Sequence, residues 1–203
     1  MNKPVIHLVL AGFLTTIVLA GCANSSPQVT YYSLYAPAQQ LPQAKEPTPA
    51  TLVVSVGPVT IPDILKQTQI ATGGADGRYQ LSEYHRWSGE VDRDFARALA
   101  EQLSSNLGTE QVALFPWDQQ FKPTCRVLLD VLSMGGEKGQ EATMSVRWSL
   151  VDPTGKTALL VRRSDLREAP ADAGHAAWVA AQQRNIVKLG REIAGELKTF
   201  TKP

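Results

Sequence analysis

The chain has 203 residues, 20 Lys and Arg against 19 Asp and Glu, and 43% hydrophobic residues, for a net charge of +1. So even a balance lacks the basic footprint that phosphate-backbone binding requires, which sets a nucleic-acid binder aside. The length and the ordinary apolar content fit one globular domain behind a short leader.

The leader comes first. Lys3 is the only Lys or Arg ahead of an apolar run from about Leu8 to Ala20. That run has the length of a signal-peptide core and is shorter than the ~20 apolar residues that span a bilayer. Leu19-Ala20-Gly21-Cys22 follows directly and resembles the lipobox of bacterial lipoproteins. The resemblance implies cleavage between Gly21 and Cys22 and a covalent acyl lipid on the Cys22 thiol, with no other cofactor. Each buried methylene contributes ~0.8 kcal/mol, and more than one chain is needed for stable anchoring. Ala23 stands where an Asp is the usual inner-membrane retention signal of enteric-type bacteria. By that resemblance the protein belongs at the outer membrane, anchored by lipid and facing the periplasm. Removing residues 1–21 takes away one lysine and leaves 182 residues with 19 basic and 19 acidic side chains.

Residues 22–29 form a lipidated tether, small and polar, whose reach is of order 25 Å at up to ~3.5 Å per residue. A single domain over residues 30–203 follows. Its first strand is Thr30-Tyr31-Tyr32-Ser33-Leu34-Tyr35, aromatic and β-prone. Residues 36–50 contain Pro37, Pro42, Pro47 and Pro49 and form an extended linker. Residues 51–56 are a second strand, ended by Gly57-Pro58; residues 59–65 are too short and proline-limited for more than a loop or one turn. Residues 69–72 and 79–85 flank the turn Gly73-Gly74-Ala75-Asp76-Gly77 and read as a hairpin.

From Glu90 to Leu107 the pattern changes. Val91, Phe95, Ala98, Leu99, Leu103 and Leu107 recur at three- and four-residue steps, which predicts an amphipathic helix. Ser88 can cap its start and Gly108 can close it. A short edge strand over residues 111–115 follows, then strands over 125–134, 142–151 and 157–168, the last two joined by the turn Asp152-Pro153-Thr154-Gly155-Lys156. A second helix over residues 173–200 carries Val179, Ile186, Leu189, Ile193, Leu197 and Phe200 as one stripe. The order ββββαββββα predicts an α+β fold, a largely antiparallel sheet covered by two amphipathic helices.

Reactive constellations are scarce. His85 and His175 lie far apart in sequence, without a Cys or His neighbour at metal-ligand spacing, and read as surface or hydrogen-bonded histidines. Gly155-Lys156-Thr157 imitates the end of a phosphate loop, but its first glycine would have to fall at Leu150, inside a strand. Asp76 lacks the companion carboxylates of a calcium site. Cys125, alone once Cys22 is lipidated, cannot form an intramolecular disulfide. It reads as a small buried hydrophobe in a strand, the alternative being a reactive or intermolecular thiol. Tyr31, Tyr32 and Tyr35 either pack on their own sheet or present phenols to a partner. Trp87 reads as a core anchor where sheet meets helix.

Several stretches together carry a family likeness: the lipobox, Tyr31-Tyr32-Ser33-Leu34, the run from Val54-Ser55-Val56-Gly57-Pro58 through Val59-Thr60-Ile61-Pro62-Asp63-Ile64-Leu65, then Gln69-Ile70 and Tyr84-His85-Arg86-Trp87-Ser88. The chain resembles the PqiC family of ABC-type transport auxiliary lipoproteins over essentially its whole mature length. Two stretches depart from the family pattern, Lys66-Gln67-Thr68 before the Gln-Ile and Ser88-Gly89-Glu90 after the tryptophan. The resemblance implies a non-enzymatic, outer-membrane-anchored subunit of a mammalian-cell-entry (MCE) lipid transport system. It would dock the periplasm-spanning MCE tube as a homo-oligomeric ring, against outer-membrane lipids, and so support envelope integrity. Ile61, Ile64 and Leu65 are the candidate partner interface, apolar residues in an irregular segment; the alternative is a loop folded onto the sheet. The competing functions are a periplasmic lipid-binding carrier lipoprotein and an envelope hydrolase.

Overall fold

The computed structural model describes residues 27–35, 52–118 and 120–200. Gly21, Cys22 and the expected linker over residues 36–50 lie outside them. In chain order the described elements are β1 (Thr30–Tyr32), β2 (Val54–Thr60), a 3-10 turn (Asp63–Lys66), β3 (Gln69–Gly73), β4 (Tyr79–Trp87) and α1 (Val91–Leu107). β5 (Val112–Leu114), β6 (Cys125–Gly135), β7 (Ala142–Val151), β8 (Ala158–Glu168) and α2 (His175–Phe200) follow. The α+β class and the order ββββαββββα are those the sequence predicts.

The strands divide into two sheets, β1-β4-β3 and β5-β2-β6-β7-β8. Both are mixed. β1 with β4, β2 with β5 and β2 with β6 run parallel, while β3 with β4, β6 with β7 and β7 with β8 run antiparallel. The antiparallel half is made of hairpins, whose turns are legible in sequence. The parallel half arises because the chain leaves β2, builds the β3-β4 hairpin and crosses over through α1 before returning as β5, and parallel neighbours need such a crossover. A backbone bridge joins the sheets where Gly73 and Gly136 exchange hydrogen bonds of 2.9 and 2.8 Å. Both glycines have positive φ, +88° and +97°, and a Cβ on the adjacent Gly135 would collide with the Gly73 carbonyl. Small residues are therefore required where the two sheets meet.

Helix α1 buries Val91, Phe95, Leu99, Leu103 and Leu107 against β2 and β5, and Gly108, at φ +66°, closes it with its N–H donating to the Ser104 carbonyl. Its start differs from the sequence expectation. Ser88 does not cap it: the Ser88 N–H donates to the Tyr32 carbonyl at 2.7 Å, and Glu90 takes the N-cap position without a side-chain capping bond, its carboxylate pairing with Arg93 instead. The first turn is tied down instead through Asp94, whose carboxylate accepts from the Ser33 hydroxyl at 2.6 Å.

Helix α2 covers β7 and β8 and crosses α1. Its buried face is apolar except for Gln182 and Asn185, both wholly buried. The Gln182 amide donates to the carbonyls of Gly135 and Thr143, at 2.9 and 3.2 Å, and the Asn185 amide donates to that of Ala142 at 3.0 Å. These carbonyls lie at the turn end of the β6-β7 hairpin, so the pair fixes the helix along its axis as well as burying its own polar atoms. One hydrophobic cluster, with Trp178, Phe95, Leu34, Ile70, Met134 and Ile186 among its largest members, joins both sheets to both helices.

Candidate functional site

The predicted interface segment is divided by its burial. β2 extends to Thr60, and the 3-10 turn then folds back, its Leu65 N–H donating to the Pro62 carbonyl at 2.9 Å. That turn carries Leu65 and Ile61 into the core, 2% and 6% exposed, and leaves Ile64 half-buried at its edge. The segment is thus a loop folded onto the sheet, and of the three residues only Ile64 reaches the surface.

The other residues singled out by sequence fall into place. Cys125 is buried, and burial pushes its thiol up to about 11, so it is held as the unreactive thiol. Asp76 closes its turn by accepting from the Arg78 N–H at 3.0 Å. Asp152 does the same in the β7-β8 turn, accepting from the Lys156 and Thr157 N–H groups. These bonds, that to Thr157 first, hold the Asp152 carboxyl below the usual range. Trp87 is 5% exposed and packs against Trp178, ring centroids 6.5 Å apart.

Strand pleat separates the tyrosines. In β1 and β4, Tyr32 pairs with Trp87 and Thr30 with His85 on the inner face, while Tyr31 pairs with Arg86 on the outer one. The Tyr32 hydroxyl lies 2.9 Å from His85 Nδ1. Tyr35 packs on the core, with the Arg97 guanidinium over its ring at 5.6 Å. Tyr31 is 62% exposed.

The structure joins the two histidines that the sequence leaves apart. Their rings stack with centroids 3.9 Å apart, and the Lys138 ammonium donates to His175 Nε2 at 3.4 Å. Desolvation first, then the charges of Lys138 and His85, pull His175 down to about 4, so it is neutral at physiological pH. Neither linear spacing nor local composition carries this contact, because it depends on β4 and the start of α2 meeting in space. Among the described residues no group of three or more His, Cys, Asp or Glu is arranged to hold a metal.

Two open depressions mark the surface. A cleft of about 340 Å³ runs between the first turns of α1 and the β2-β5 edge, with Pro58, Asp92, Arg93, Arg97 and Phe115 on its walls. Phe115 is 48% exposed there and packs edge-on to Trp117, itself covered by the Arg126 guanidinium. A shallower hollow of about 300 Å³ lies on the sheet face away from the helices, lined by Thr60, Leu128, Arg147 and Val161 among others. Among the described residues no helix is long and apolar enough to cross a membrane.

No curated protein matches the sequence. Solved structures of similar fold include a Xanthomonas campestris protein of family DUF330, with a TM-score of 0.65 at 16% identity over 84% of this chain and 95% of that one. An uncharacterised protein gives a TM-score of 0.66 at 18% identity, over 84% of this chain and 99% of the other. Residues 32–194 match the family described as ABC-type transport auxiliary lipoprotein component, a match that takes in every element from β2 through β8 and all but the last six residues of α2. The chain belongs to that family of ABC-type transport auxiliary lipoproteins.

Proposed function

We propose that the protein is a non-enzymatic docking subunit of an MCE-type lipid transport system, anchored by Cys22 in the outer membrane and facing the periplasm. The observation that carries this reading is the family match over residues 32–194, placed directly behind a lipobox and a short tether. In this reading the domain assembles as a homo-oligomeric ring and receives the end of the periplasm-spanning MCE protein. A body with equal numbers of basic and acidic side chains and a rigid two-sheet core suits such a scaffold. The exposed aromatic cleft at Phe115 offers a partner a concave apolar contact with charged walls, the usual anatomy of a docking site.

Anchor and location are tested together. Cells fed an alkyne fatty acid are fractionated into inner and outer membranes, with wild-type protein beside Cys22→Ala. The reading predicts label on the wild-type protein in the outer-membrane fraction and none on Cys22→Ala, which fails to reach that fraction. An unlabelled wild-type protein, or one found with the inner membrane, contradicts it.

A further inference from the structure

The three-stranded sheet and the residue leading into it carry a group of exposed apolar and phenolic side chains. Tyr31 on β1 lies opposite Arg86 on β4 in a parallel ladder, and Tyr84 precedes Arg86 by two residues, within the stretch of β4 where its register with β3 shifts. Tyr31 is 62% exposed, Tyr84 42%, and Val29, which immediately precedes β1, 38%. The inner face is fully engaged: Tyr32, His85 and Trp87 point toward α2, through the His175 and Trp178 contacts. Two tyrosines and a valine are thus exposed while Tyr32, His85 and Trp87 are held against α2.

The start of the chain says what can cover them. Only six residues separate Cys22 from Val29, and at no more than ~3.6 Å per residue Val29 lies within about 25 Å of the anchored cysteine. Restriction to so small a volume gives the first strand a high effective concentration at the bilayer surface, on the millimolar scale of a short flexible linker. Tyrosine is a side chain suited to that surface, its ring apolar and its hydroxyl able to bond headgroups and water. We propose that Val29, Tyr31 and Tyr84 form a membrane-contact face that rests in the headgroup region of the bilayer holding the Cys22 acyl chains. The inference rests on the proposed anchor at Cys22 and adds an orientation: the small sheet lies against the membrane, so β1 is a footplate as well as a strand.

The test uses the full-length acylated protein in vesicles of phosphatidylethanolamine and phosphatidylglycerol containing headgroup-nitroxide lipid. Tyr84→Cys and, as a control on the other sheet, Leu159→Cys are each labelled with one fluorophore; Cys125, buried and with a raised thiol pKa, does not compete. The proposal predicts that the vesicles float with the protein and that the label at 84 loses most of its emission to the nitroxide while that at 159 keeps it. Flotation without quenching at 84 overturns the membrane face and leaves the anchor standing. Failure to float overturns both. Shielding of residue 84 from aqueous iodide without quenching by lipid nitroxide assigns the face to a second copy or a protein partner and likewise overturns the proposal.

Discussion

His85, on the small sheet, stacks on His175, at the start of α2, with ring centroids 3.9 Å apart and planes within 18° of parallel. The contact fastens the β1-β4-β3 sheet to the helix that covers the large sheet, and it tolerates little positive charge because Lys138 lies against the same ring. The folded pKa of His175, about 4, lies below the unfolded value near 6.5. Between those values the unfolded chain binds a proton that the folded chain refuses, so the stabilisation is complete above pH 6.5 and is lost as pH falls toward 4. After allowance for solvent screening the loss is on the order of 1 kcal/mol. Urea midpoints measured from pH 7 to 4.5 are expected to fall for the wild type and to stay nearly level for His175→Phe, which keeps the stack without the titration.

Gly190 marks the crossing of the two helices. A Cβ there would lie 2.6 Å from the Gln102 Cβ on α1, whereas a Cβ at Gly195, further along the same helix, would meet nothing within 4 Å. Gly190→Ala is expected to destabilise by ~1–3 kcal/mol through overpacking. Gly195→Ala is expected to stabilise by roughly 0.5–1 kcal/mol through helix propensity alone. Opposite shifts in thermal midpoint check the pair, and equal shifts contradict the crossing geometry.

Leu65 and Ile64 adjoin in sequence and differ in burial, so they separate folding from docking. Leu65→Asp places an unpaired charge in the core and is expected to cost several kcal/mol, enough to unfold a domain of ordinary stability. Ile64→Asp, at the half-buried edge, is expected to cost ~1 kcal/mol or less and to keep the circular dichroism spectrum. Assembly and partner binding are therefore informative in Ile64→Asp and uninformative in Leu65→Asp.

Ser33 is held from two sides, its hydroxyl donating to Asp94 on α1 at 2.6 Å and its carbonyl accepting from the Gln183 amide on α2 at 2.9 Å. Asp94→Ala removes one of these links, with an expected loss of ~1–2 kcal/mol. Faster hydrogen exchange across residues 30–34, with exchange in β6 and β7 unchanged, is the predicted signature. Unchanged exchange at 30–34 contradicts the link.

Much of the fold is legible in the sequence because periodicity reports burial. The 3.6-residue stripe from Val91 to Leu107 and the turns at Gly73-Gly77 and Asp152-Lys156 each dictate a local element, and all three form. Direction is different: alternation in β2 is the same whether its neighbours run with it or against it, so the parallel pairings with β5 and β6 stay hidden. Irregular segments mislead in the same way. Ile61 and Leu65 have no period, yet both are buried, Leu65 within the 3-10 turn and Ile61 just ahead of it. The histidine stack belongs to contacts set by the whole topology, and the resemblance of Leu19-Ala20-Gly21-Cys22 to a lipobox is a matter of sequence alone.

The central claim, a docking lipoprotein of an MCE transport system, is tested most directly by gentle detergent extraction of the tagged full-length protein from envelopes. Co-purifying proteins and lipids are then identified by mass spectrometry, and the native mass is measured. The account predicts an oligomeric lipoprotein recovered together with an MCE-domain protein. A monomer carrying one lipid per chain and no protein partner would contradict it, and would identify a lipid carrier instead.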